Sequence, residues 1–105
     1  ALEYAELRTL AALSVGKAPG PESSILKIVG TELAQKMDEM TVELAGYNCL
    51  PFVPEQFEEG FEGEQMGPGS SAAAALSYFN NRKLSIFGGS NEVQRNIISK
   101  AVLGL

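Results

Sequence analysis

Histidine is absent from this chain, and cysteine occurs once. Without an imidazole there is no Ser-His-Asp triad, no Cys-His dyad and no histidine-based zinc site, so no metal is expected. Cys49 has no partner for an internal disulfide, so the fold does not depend on oxidation, and the thiol reads as inert. Basic residues are scarce, eight Lys and Arg against thirteen Asp and Glu for a net charge of −5. The basic footprint of a nucleic-acid binder is therefore missing. No apolar run approaches the roughly 20 residues of a membrane span, so no membrane partner is expected. The opening residues ALEYAELRTL carry no basic stretch ahead of a long apolar core, the form a signal peptide would take. A lone cysteine and no such leader point to a cytoplasmic protein.

What is present fits one globular domain. The chain has 105 residues, 45% of them apolar. Such a length buries roughly 60–70% of its unfolded surface, enough for a modest core. Glu55, Glu58, Glu59, Glu62 and Glu64 carry the whole net charge, since the other eight acidic residues balance the eight basic ones. That cluster reads as a solvated loop.

Helical spacing dominates. A first helix is expected from about Ala1 to Val15; no capping residue precedes it, as if the chain began inside a helix. Gly16 to Pro21 ends it, and two prolines stiffen the connector. Pro21 and Glu22 suit the first turn of a second helix. In it Leu26, Val29, Leu33, Met37, Met40 and Leu44 step by three or four residues along one stripe, to near Gly46. Met37 and Met40 read as core filler on that stripe. Glu32 and Lys36 are spaced for an ion pair along the helix. From Tyr47 to Gly69 the pattern dissolves into an acidic loop with a short helix near Pro54 to Glu59, pinned by Phe52, Phe57 and Phe61. A third helix starts at a Ser70 cap and runs to Phe87. After Gly88-Gly89 a fourth begins at Ser90 or Asn91. With Asn91 as the cap, Gln94 would close a capping box. Val93, Ile97, Ile98, Ala101, Val102 and Leu105 form its buried stripe. The expectation is an all-α, up-and-down helical bundle of three long helices and a shorter first one.

The run from Tyr78 to Leu105, and FGGSNEVQRNII within it, resembles the last two helices of the acyl-CoA dehydrogenases. Phe87, Gly88, Gly89, Ser90, Gln94 and Arg95 carry the likeness. Residues 16–46, with Pro19-Gly20-Pro21-Glu22 opening a helix, resemble that family's connector and following helix, whereas residues 47–69 match poorly. The resemblance implies that residues 1–105 are the later part of the family's C-terminal four-helix bundle, its first helices missing. It implies a parent FAD enzyme that oxidises an acyl-CoA to the 2,3-enoyl-CoA, with a glutamate as base. In one branch that glutamate occupies the place of Gly88, which cannot accept a proton, and in others it lies on an earlier helix of the bundle outside this chain, so no catalytic residue is expected here. The loop after the glycines contacts FAD in the family, which makes Gly89, Ser90 and Glu92 the candidate cofactor-binding residues. Family oligomers use these helices, and open apolar stripes on the second and fourth helices point to a homo-oligomer, dimer or tetramer.

Other readings stand beside this one. Gly88-Gly89 also reads as a plain interhelical turn. Arg82 and Arg95 read as phosphate ligands or as surface and interhelix ion pairs. The chain as a whole reads alternatively as a free-standing helical interaction module without catalysis, or as a small anion binder using the Gly88–Asn91 helix start.

Overall fold

The computed structural model describes residues 1–64, 67, 69 and 71–105. The expected Ser70 cap lies outside them. Among the described residues the chain is all-α. Helix α1 spans Leu2–Ser14 and α2 Glu22–Ala45; 3-10 turns follow at Gly46–Cys49 and Pro54–Phe57. Helix α3 spans Ser71–Asn81, a third 3-10 turn Arg82–Ser85, and α4 Asn91–Ile98, which widens into a π turn over Ser99–Leu103. Among the described residues no helix is long and apolar enough to cross a membrane. Two compact units are present: residues 1–33 with 83–105, and residues 34–82.

In the first unit, α1 starts at Ala1 with no side-chain cap. It closes at Gly16, whose φ of +79° is open to a residue without Cβ. The N–H of Lys17 reaches back to the Ala12 carbonyl at 3.2 Å, which satisfies an end carbonyl of the helix. Pro21 then precedes α2, whose early turns bury Ser24 and Ile28. Helix α4 buries Asn91 at its first position.

In the second unit, alanines dominate the start of α3 and are strong helix formers. Ser71 and Ala74 are buried there, as is Cys49 of the first 3-10 turn. The Cys49 thiol donates to the Gly46 carbonyl at 3.1 Å. Gln35 donates to the carbonyls of Asn81 and Arg82, and Asn81 to the Asp38 carboxylate at 2.8 Å. These bonds take up carbonyls at the end of α3, which stops at Asn81 rather than continuing to Phe87 as expected. The Arg82 guanidinium lies over the Tyr78 ring, 5.3 Å from its centroid.

The covered faces differ from those the spacing predicts. On α2 Ser24 and Ile28 are buried and Lys27, Thr31 and Gln35 half-buried; of the predicted stripe Leu26 is half-buried, while Val29, Leu33, Met37, Met40 and Leu44 stay exposed. Met37, expected as core filler, is 60% exposed. On α4 Asn91 is buried and Gln94 and Ile98 are half-buried, while Val93, Ile97, Val102 and Leu105 are open. Of the three phenylalanines expected to pin the loop, Phe52 and Phe57 are exposed and Phe61 is half-buried. Helix lengths also depart from expectation, since α1 has 13 residues against 11 in α3 and 8 in α4. The physical reason for the swapped faces is that periodicity reports which face is apolar, not which face finds a partner within the chain. Ile28 is the one large aliphatic side chain buried outright among the described residues. One such side chain contributes roughly 1.5–3 kcal/mol. Ordering a single residue's backbone costs about 1–2 kcal/mol.

Candidate functional site

The break between the 3-10 turn at Arg82–Ser85 and α4 is made by Gly88 and Gly89, with φ of +68° and +85°. Both values lie in the left-handed region, which other residues enter at a cost. A Cβ on Gly88 would meet nothing within 4 Å; one on Gly89 would lie 2.8 Å from Gln94 Nε2. Gln94 folds back over the turn, its amide 3.5 Å from the Gly88 carbonyl.

Ser90 is the N-cap of α4, its Oγ accepting from the Val93 N–H at 3.3 Å. This corrects the capping box drawn with Asn91 as cap. Asn91 is the first helical residue, only 4% exposed, and its side chain points to α2 instead. Lys27 Nζ donates to Asn91 Oδ1 at 2.7 Å, and Asn91 Nδ2 donates to Thr31 Oγ1 at 3.2 Å. Glu92 is exposed. Its carboxyl is held below the usual 4.5, first by its own backbone N–H and then by the Ser90 hydroxyl, with desolvation opposing and the charges of Arg95 and Lys27 adding less. Arg95 pairs with Glu32 at 3.0 Å, both half exposed. The expected Glu32–Lys36 pair is therefore not made; Lys36 pairs with Glu39 at 3.3 Å.

Gly89, Ser90 and Glu92 thus lie on one open turn whose far side is tied to α2. Gly88 offers no titratable atom. What the residue pattern did not reveal is the tie, Asn91 to Lys27 and Thr31. A signal was present: Lys27 and Thr31 are four residues apart on the face of α2 that also carries Ile28. Two recesses of about 380 and 370 Å³ lie elsewhere in the same unit, one between α1 and the Lys17–Glu22 connector, one lined by Leu2, Glu6, Leu26, Lys27 and Gly30. Neither is lined by the turn. No group of three His, Cys, Asp or Glu among the described residues is placed to hold a metal ion.

Gly88 leaves its backbone open to a ligand, whereas the Gln94 side chain stands over Gly89, and at the start of α4 the N–H groups of Val93 and Gln94 already bond to Ser90. The Ser90 hydroxyl is already engaged with Val93 N–H. A carboxylate at Glu92 would repel a pyrophosphate and would suit a hydroxyl donor instead.

A family profile described as acyl-CoA dehydrogenase, C-terminal domain, matches residues 1–103. Searches of curated proteins and of solved structures gave no match.

Proposed function

The chain belongs to the acyl-CoA dehydrogenase family through its C-terminal domain, and from that premise we propose that it works as the C-terminal helical portion of an FAD-dependent enzyme oxidising an acyl-CoA to the 2,3-enoyl-CoA. The match over residues 1–103 carries the proposal. The turn at Gly88–Glu92 is the part of this chain that meets the cofactor. Gly89 admits close approach of the backbone once the Gln94 side chain moves aside, Ser90 fixes the start of α4, and Glu92 accepts from a hydroxyl of the adenosine half. A flavin held at this turn would supply a hydride acceptor for the β carbon, and the α proton would go to a base outside this chain. Gly88 cannot serve as that base. The chain by itself is inactive and holds FAD weakly.

Adding FAD to the purified chain and following flavin fluorescence, with an acyl-CoA and an electron acceptor present, tests this directly. Weak binding that Ser90→Ala and Gly89→Val diminish, with no turnover, is the expected result. Flavin-dependent turnover by this chain alone would refute the claim that the base lies elsewhere.

A second reading has its own observation. The apolar stripes of α2 and α4 stand open to solvent, from Val29 to Leu44 and from Val93 to Leu105. Exposed apolar area on this scale drives association. On this reading the chain is a helical interaction module that pairs with another copy. The reading frame upstream of the Ala1 codon separates the two. An in-frame extension of about 250 residues or more favours the enzyme, since that exceeds one usual domain. A start codon beside Ala1 favours the module.

A further inference from the structure

We propose that Asn91 is a positioning residue for the glycine turn, acting through Lys27 and Thr31. A turn built from two glycines is free to change shape unless something outside it holds its end. Gln94 to Gly88 is long at 3.5 Å, and Arg95 to Glu32 is half exposed on both sides. Asn91 alone is buried and crosses from α4 to α2.

The hydrogen-bond chemistry fixes how it does so. Lysine only donates, so the atom 2.7 Å from Lys27 Nζ must be the amide oxygen. The amide nitrogen then faces Thr31 Oγ1 at 3.2 Å. Thr31 has a single hydroxyl proton, which goes to the Ile28 carbonyl at 3.0 Å, leaving its lone pairs for Asn91. The 3.4 Å approach of Thr31 Oγ1 to Asn91 Oδ1 is therefore a side contact, not a second bond. Each partner has one role, and the Lys27 bond is charge-assisted and short. With Asn91 so locked, Ser90 and Gly89 just ahead of it are presented in one place. That the turn is held for a flavin rests on the reading above; the holding itself rests only on these bonds.

The test is amide hydrogen exchange at Val93 and Gln94, whose N–H groups bond to Ser90. Helical amides of residues 37–41 in the other unit serve as reference. Asn91→Leu should speed Val93 and Gln94 about tenfold, the worth of one buried hydrogen bond to a charged donor, and leave the reference unchanged. Lys27→Met should speed them by a smaller factor. Asn91→Asp keeps an acceptor for Lys27 and should stay within about threefold of the parent. The proposal falls if Asn91→Leu leaves Val93 and Gln94 unaltered, or speeds the reference equally. Should Asn91→Leu fail to fold, the pair Lys27→Met and Asn91→Asp decides: the first must loosen the two amides and the second must not. Failure to bind FAD would overturn the cofactor reading and leave this result standing.

Discussion

The Arg95 guanidinium sits 3.0 Å from the Glu32 carboxylate, joining α4 to α2 one turn beyond the Asn91–Lys27 bond. The two cross-links differ in solvent access. Arg95 and Glu32 are each more than half exposed, so water screens their attraction and the pair is worth at most about 1 kcal/mol. Removing Asn91 strands a half-buried ammonium and costs more, roughly 1–3 kcal/mol. Arg95→Ala should therefore lower the urea midpoint slightly, and Asn91→Leu clearly, at constant slope. Equal losses from the two substitutions would contradict this ranking.

Gly88 and Gly89 are the next test, because their φ values are both in the left-handed region. Alanine there costs about 1–2 kcal/mol at each position. A Cβ at Gly88 meets open space, and one at Gly89 meets only the flexible end of Gln94, so sterics add little at either. Gly88→Ala and Gly89→Ala should lose similar stability in chemical denaturation. A loss at Gly89 several-fold larger would mean that Gln94 cannot move aside.

Glu92 sets a pH dependence. Its folded-state carboxyl titrates below the usual 4.5, held there by its own N–H, then by Ser90, Arg95 and Lys27. On lowering the pH the unfolded chain takes up this proton first. The stabilisation is thus complete above the unfolded value and is lost as pH falls through the lower folded one. Between about pH 7 and pH 5 the urea midpoints of the parent and of Glu92→Gln should run parallel. Below about pH 4.5 the parent should fall more steeply. Parallel lines throughout would remove Glu92 from the pH dependence.

The helices themselves were legible in the residues. Pro21 and Glu22 opened α2, Gly16 and Gly46 bounded helices, and the double glycine marked the break before α4. The covered faces were not. Leu33 and Met37 carry the apolar periodicity of α2, yet Ser24, Ile28 and Thr31 are the positions covered by the chain. Asn91 was readable as a cap because its residue type favours that position; its burial depends on Lys27 and Thr31, 64 and 60 positions away, which local spacing does not encode. The candidate site was legible as a segment, Gly89, Ser90 and Glu92, but not the tie that holds it. Ser90 took the capping role because its Oγ reaches Val93 N–H while the Asn91 side chain is engaged elsewhere.

The open stripe on α2 leads to the last expectation. Leu33 is 50% exposed and Met37 60%, side by side on a helix whose opposite face is already covered. An apolar row of this kind does not remain in water when a matching surface is available, and a second copy of the chain carries the same row. Sedimentation at about tens of micromolar, a concentration at which micromolar association is nearly complete, should give a mass above that of the monomer. Leu33→Glu or Met37→Glu places a charge in the row, where burial in a contact costs several kcal/mol, and should return the protein to a monomer. Lys36→Ala, at an exposed polar position of the same helix, should leave the assembly unchanged. A monomeric parent at that concentration would mean that the stripe is reserved for a surface other than its own copy.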